Sequence, residues 1–352
     1  MNIQFHPTPV EGQASDSGEV TGYVKSYTLQ IADWMDNGHR ASMERVGPDQ
    51  IVIVAEGRPT AIVGQMAAML HPICPNAHAV AALRAAEKAM EHFVPDEAEK
   101  GREIAITVER VVSSLWRLAL VWPKIAGLDE MPGPLAAAMG LQRSIMQDIF
   151  PADWRYLGGR KPEAIKDSTL LVVDSLSGTA SELFDSAAEI IQSAPDIDIP
   201  KSHQAMALGD DITNHSFQPS THARFESQVS DRPTSVKQLL EDQLAGTKAL
   251  VATLKDALTN PSLPADQDRG FKLDGIGFGF ALTARGRLRH QIAVDKDLIR
   301  NWRVDAPTDW NFAPGGPVEI AVQQIPFDDL GWLVMAFDPC MPCTIQKVLE
   351  NA

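Results

Sequence analysis

The stretch Met335-Ala336-Phe337-Asp338-Pro339-Cys340-Met341-Pro342-Cys343-Thr344-Ile345-Gln346 decides the reading of this chain. It holds two of the three cysteines, spaced C-x-x-C, directly after an apolar run. The third, Cys74, lies far upstream in Leu70-His71-Pro72-Ile73-Cys74-Pro75-Asn76-Ala77-His78. On residue chemistry alone three uses stay open. The pair could exchange redox equivalents, although such motifs sit at a helix start early in a βαβ unit rather than near the end of a chain. Cys74, Cys340, Cys343 and one histidine could form a structural zinc site. Cys74 could also be a small buried apolar residue. Thiolates accept zinc, copper, nickel and iron alike, so ligand type does not choose the metal.

Working outward, 352 residues suffice for one large core or two to three domains. The 31 basic residues are outnumbered by 46 acidic ones, a net charge of −15. So acidic a surface repels phosphate backbones and anionic lipid, which argues against nucleic-acid and membrane partners. No apolar run reaches membrane-spanning length. Met1-Asn2-Ile3-Gln4-Phe5-His6-Pro7 lacks the basic and apolar pattern of an export signal. Three cysteines are too few for a disulfide framework, so a reducing cytoplasm is the expected compartment, where thiols remain available as ligands.

Residues 1–18 are polar and expected to be flexible. Residues 19–352 read as one unit: β-rich over 19–56, helical over 57–193 with the upstream cysteine, a polar loop or linker over 194–233, a helix over 234–260, and strands and loops over 261–352 with the cysteine pair. Alternation from Val20 to Ile31 predicts a strand, and Ile51-Val52-Ile53-Val54 a short buried one. A helix is expected from Pro59 to about Leu70. Asn76 reads as the cap of a second, running to about Phe93. Asp96 and Glu99 resemble a capping box for a third, which should stop at Pro123. Further helices are expected over 134–148, from a Thr179/Glu182 capping box to Gln192, and from a Ser235 cap to Leu258. His203, His215 and His222 of the polar loop are expected in solvent. Gly275-Ile276-Gly277-Phe278-Gly279 lacks dinucleotide-binding spacing, and its alternating glycines suit close approach of another backbone or a ligand.

The residues around the cysteines narrow the choice. The chain resembles the large subunit of nickel–iron hydrogenases, which carry an I-C-G-x-C-P-x-A-H motif, a P-R-G-x-L-x-H segment, a V-P-T-T-W-N segment and a final D-P-C-x-x-C. The counterparts here are Leu70 to His78, then Ala284-Arg285-Gly286-Arg287-Leu288-Arg289-His290, then Ala306-Pro307-Thr308-Asp309-Trp310-Asn311, then Asp338 to Cys343, in the same order. The resemblance implies a mainly α fold with β: a central bundle of long helices flanked by small mixed sheets, with the two cysteine loops meeting at its base. It also implies roles. Cys74 and Cys343 match the thiolates that bridge nickel and iron, Cys340 matches a nickel-only thiolate, and His71 stands where the other nickel-only cysteine should be. The relay glutamate of the family's early R-x-E-G-H motif aligns with Thr21, which cannot shuttle protons as a carboxylate does. The histidine that marks the family's C-terminal processing site aligns with Gln346.

These departures, with Trp116-Arg117-Leu118-x-Leu120-x-Trp122-Pro123, resemble the hydrogenase expression/formation accessory proteins of the HupK/HoxV type. That resemblance implies an assembly protein rather than an enzyme: a scaffold that receives the Fe(CN)2(CO) iron fragment, with no nickel, and passes it to the apo large subunit. HypC-type chaperones and HypD-type assembly proteins are the implied partners. Cys74 and Cys343 become the expected iron ligands, Cys340 an adjoining thiol and His71 a spare ligand. Arg285 and Thr308 become donors to cyanide, Asp338 a partner of Arg285, and His78 a partner of a cysteine sulfur. The alternatives are a degenerate hydrogenase subunit with redox activity, a metal-free structural paralogue, and a zinc-stabilised interaction protein.

Overall fold

The computed structural model describes residues 2–5, 26–35, 38–46, 54–199, 235–313, 316–323, 325–341 and 343–348. Thr21, the three histidines of the polar loop and most of that loop lie outside the described residues. The chain begins with strands β1 (Asn2–Phe5), β2 (Ser26–Met35) and β3 (Gly38–Val46). Helices α1 (Val63–Leu70), α2 (Pro75–Met90), α3 (Asp96–Trp116), α4 (Trp122–Ala126), α5 (Pro132–Ile149), α6 (Asp167–Ser193) and α7 (Val236–Thr259) form the middle. A short α8 (Asp266–Arg269) leads into strands β4 (Gly270–Leu273), β5 (Ile276–Thr283), β6 (Gly286–Asp295) and β7 (Leu298–Asp305). Helices α9 (Pro307–Asn311), α10 (Pro317–Val322) and α11 (Leu330–Phe337) precede the last strand, β8 (Cys343–Val348). This is the expected helical bundle with two four-stranded sheets: a mixed one that joins β8 to the early strands in the order β1-β8-β2-β3, and an antiparallel one of β4 to β7.

Helix α2 carries Cys74 at its start and is the most enclosed element. Ala77, Ala79, Ala81, Ala82, Ala85 and Ala86 have no exposed surface. The alternating glycines explain the packing: a Cβ on Gly277 would lie 1.9 Å from Ala85 O, and one on Gly279 2.1 Å from Ala81 O. The alanine face of α2 therefore rests directly on the backbone of β5, as the sequence pattern anticipates, and the approach fixes the height of the Cys74 loop above the second sheet. That sheet is an antiparallel meander in the order β4-β5-β6-β7.

The third helix does not stop at Pro123. Residues Arg117–Val121 form a π-helical turn that joins α3 to α4, and Pro123 lies inside α4. Proline lacks an N–H and crowds the carbonyl four residues back, which here is Ala119. That carbonyl is satisfied from elsewhere, by the Met131 N–H at 2.8 Å. The wider π-helical turn lets the helix pass a residue that would ordinarily break it.

Several local expectations are corrected. Asn2–Phe5 is a strand, paired antiparallel with β8, because its partner lies at the other end of the chain. Of the strand expected over Ile51-Val52-Ile53-Val54, the first three residues lie outside the described residues and Val54 is helical. Cys74, not Asn76, precedes the first turn of α2, and the helix closes at Met90 with Glu91 left-handed. Glu99 does not cap α3; it pairs with Arg84 and Arg102. Thr179 lies in mid-helix, its hydroxyl donating to Ser175 O at 3.1 Å, and α6 begins a full twelve residues earlier at Asp167. The helix ends at Ser193 and the irregular stretch begins at 194 as expected, but Ala194, Ile197 and Ile199 are buried rather than on the surface. Ser235 does cap α7, its Oγ accepting the Gln238 N–H at 3.2 Å.

Candidate metal-fragment site

Pro75 occupies the first position of α2, where a missing N–H costs nothing, and holds Cys74 just outside the helix. Burial pushes the Cys74 thiol well above its ordinary value; the neighbouring Cys340 and Glu109 add to this, while Arg285 opposes it. A helix N-terminus would normally favour a thiolate. Here its N–H groups are already engaged: Asn76 and Ala77 donate to the two Glu109 oxygens at 2.7 and 3.0 Å. Glu109 reaches across from α3 and is buried. Burial lifts its carboxyl to about 7, against those two N–H bonds and the charges of Arg155 and Arg285. The only sequence signal for Glu109 is an acid beside the apolar stripe of α3.

Helix α11 brings the downstream segment to the same place. It ends in Asp338, left-handed at φ 44°, whose N–H still bonds back to Val334 O, while Pro339 prevents continuation. The Asp338 carboxylate is shared by two buried guanidiniums. Arg285, at the β5–β6 turn, donates through Nη2 to Oδ1 at 3.2 Å and through Nε to the backbone oxygen at 2.9 Å. Arg117, in the π-helical turn, donates through Nη1 to Oδ2 at 2.9 Å. Burial works against the Arg285 charge, but Asp338, Cys340 and Cys74 outweigh it and hold this guanidinium more firmly protonated than usual. For Arg117 burial wins over Asp338, and its protonation is weakened. Thr308 is buried, and its Oγ1 accepts the Cys340 N–H at 3.0 Å. The threonine thus sets the cysteine loop and keeps its own hydroxyl hydrogen to donate.

The histidines form a separate file behind the loop. The His71 and His78 rings stack at 3.6 Å, and His78 Nδ1 lies 2.9 Å from His290 Nε2. Trp302 Nε1 donates to His290 Nδ1 at 2.9 Å. An indole can only donate, so neutral His290 carries its hydrogen on Nε2 and donates it to His78. Burial, then His71, depresses the His290 imidazolium and favours that neutral form. His71 Nδ1 in turn lies 2.9 Å from Ala67 O, which fixes Nδ1 as its protonated nitrogen.

Cys74, Cys340, Arg285 and Asp338 are therefore brought into one electrostatic neighbourhood, with Thr308 attached through Cys340. His71 and His78 lie together beside His290. Cys343 opens β8 in the interior, where burial pushes its thiol up to about 12. Glu109, Arg117, His290 and Trp302 belong to the surroundings without having been assigned a role from the sequence. Among the described residues, no group of three His, Cys, Asp or Glu side chains is placed to hold a metal ion.

Comparison with known proteins follows the same lines. A family model described as nickel-dependent hydrogenase matches residues 204–346. The NiFeSe hydrogenase of Desulfovibrio vulgaris Hildenborough superposes with a TM-score of 0.63 at 14% identity, over 87% of this chain and 95% of that one. The chain thus has the fold of nickel–iron hydrogenase large subunits. In sequence it is similar to hydrogenase expression/formation proteins. The hydrogenase expression/formation protein HupV of Azotobacter chroococcum is 27% identical over 319 residues, covering 80% of this chain and 86% of that protein. The hydrogenase expression/formation protein HupK of Azotobacter vinelandii is 27% identical over 327 residues, with the same shares.

Proposed function

We propose that this chain acts in hydrogenase maturation as a non-catalytic scaffold, holding the Fe(CN)2(CO) fragment on cysteine thiolates as cargo and passing it to the apo large subunit. The observation that carries the reading is the meeting of Cys74 and Cys340 with the buried Arg285–Asp338 pair. A bare structural zinc ion usually draws about four ligands from the protein. An iron fragment that brings three diatomic ligands of its own asks less of the chain, and guanidinium donors suit the outward nitrogens of bound cyanide. Cys74 with Cys343 is the ligand pair that the family motifs favour. Cys340, whose charge bears directly on Cys74, adjoins them. Arg285 donates to one cyanide nitrogen and the Thr308 hydroxyl to the other. Thiols must lose their protons as iron binds, so loading exchanges protons for metal. The substitutions at His71 and Thr21 remove a nickel thiolate and the relay carboxylate, which favours assembly over turnover. A HypC-type chaperone and a HypD-type assembly protein are the proposed donors, and no nickel is bound.

The test is an infrared spectrum of the chain purified anaerobically from a host with an intact maturation machinery. Cyanide and carbonyl stretching bands are expected, and Cys74→Ala should abolish them. Separate Cys340→Ala and Cys343→Ala variants identify the second ligand. Zinc by elemental analysis with no such bands would overturn the scaffold in favour of a zinc-stabilised interaction protein. Hydrogen uptake with a small subunit would favour a degenerate catalytic subunit.

A further inference from the structure

Arg117 has no place in the reading so far, and its surroundings are unusual. Its side chain is 4% exposed, and its one short hydrogen bond goes to an Asp338 carboxylate that Arg285 also uses. The contact to Ser114 Oγ is long, at 3.4 Å, and its Nε has no hydrogen-bond partner among the described residues. The residue is presented by a π-helical turn, a departure from α-helical register that is frequent at functional sites. Among the described residues, the carboxylate that bears on Arg117 is that of Asp338, which Arg285 shares. Two guanidiniums on the one Asp338 carboxylate leave that pair a positive charge short of compensation, which is expensive in a protein interior.

The cargo supplies the missing negative charge. In the loaded site the iron's two positive charges are cancelled by two cyanides, and two cysteine thiolates leave the assembly with two negative charges. A bare divalent zinc or iron ion on the same two thiolates is neutral and has no use for a second guanidinium. We infer that Arg117 is the second guanidinium of an anion-selective seat beside the cysteine loop, so that the site takes its metal as a preassembled cyanide-bearing complex and discriminates against free divalent cations. This rests on the scaffold reading and adds a selectivity to it. Arg117 acts as a positioning and charge-balancing residue through Asp338, while the thiolates do the binding.

The experiment compares wild type, Arg117→Gln and Arg117→Lys as full chains. Two quantities are read: cyanide and carbonyl band intensity per chain after anaerobic purification from the maturation host, and Zn2+ affinity of the metal-free chain by competition with a chromophoric chelator. Arg117→Gln should lose on the order of tenfold in band intensity, as expected for a lost charge-assisted partner, while Zn2+ affinity is unchanged or rises. Arg117→Lys, which keeps the charge, should retain most of the bands. If Arg117→Gln does not fold, Arg117→Met keeps the apolar stem without the charge and is read the same way. Full band intensity in the neutral variants overturns the inference. So does an equal loss of bands and zinc affinity, which would mark general damage, or a lysine variant as poor as the neutral ones. Wild type without bands overturns the scaffold reading itself, a different result from wild type with bands that the neutral variants share.

Discussion

Two buried arginine clusters sit on helix α3 and its extension, and they are built differently. Near its start, Arg84 and Arg102 meet three carboxylates. Arg102 forks onto Glu87 at 2.6 and 2.8 Å and also reaches Glu99; Arg84 bonds Glu99 and Glu103. Burial alone would raise the Glu99 carboxyl, yet the two arginines pull it down to about 2. Both guanidiniums there are held more firmly protonated than usual, although burial opposes it. At the other end Arg117 and Arg285 share the single carboxylate of Asp338, and burial weakens the Arg117 charge. A cluster saturated with carboxylates fastens α2 to α3, whereas one undersaturated in them lies beside two thiols. Both clusters bury charge; the ratio of guanidinium to carboxylate is what differs between them.

Breaking the saturated cluster should have the larger effect. Glu99→Gln leaves Arg84 and Arg102 short of a buried partner and should cost about 4 kcal/mol in urea unfolding, the usual scale for breaking a buried ion pair from one side. Glu109 should come next and shows itself through pH. Its carboxyl holds a proton to higher pH in the folded chain than in the unfolded one, so its stabilising contribution is complete below its ordinary 4.5 and is lost as pH rises through about 7. In the metal-free protein the wild type should therefore lose about 3 kcal/mol relative to Glu109→Gln between pH 4.5 and 8, as read from paired unfolding curves. The smallest effect belongs to the undersaturated cluster. Arg117→Met leaves Asp338 still paired with Arg285 and removes an uncompensated charge, so unfolding should shift by less than about 1 kcal/mol in either direction. A loss as large as that of Glu99→Gln would erase the distinction between the clusters.

How much of this could be read from the residues depended on the distance over which each cause acts. The Ser235 cap, the glycine alternation of β5 and the four ordered motifs are local, and each was legible. The glycines even stated their reason, since only a backbone fits against Ala81 and Ala85. The class of fold followed from the motifs, while the path of α3 past Pro123 did not, because the carbonyl released at Ala119 is satisfied by Met131, eight residues beyond the proline. The strand at Asn2–Phe5 was invisible because its partners lie at 343–346. At the site, Arg285, Thr308 and Asp338 were legible through their motifs. Arg117 and Glu109 were not, because a charged residue on a long helix looks solvent-facing until the neighbouring elements are placed. Their partners, Asp338 for Arg117 and the α2 amides for Glu109, come from other segments.

The strand that starts at Cys343 has a further consequence for the order of events in the cell. β8 is an inner strand, antiparallel to β1 on one side and parallel to β2 on the other, with Asn2 facing Gln346 and Tyr27 facing Cys343. Ribosomes make β1 and β2 first, so both must wait with an open edge until the strand between them emerges. The sheet that seats Cys343 is thus completed only once residues 343–348 have been made. A nascent chain can present Cys74 early, but the sheet that seats Cys343 waits for β8.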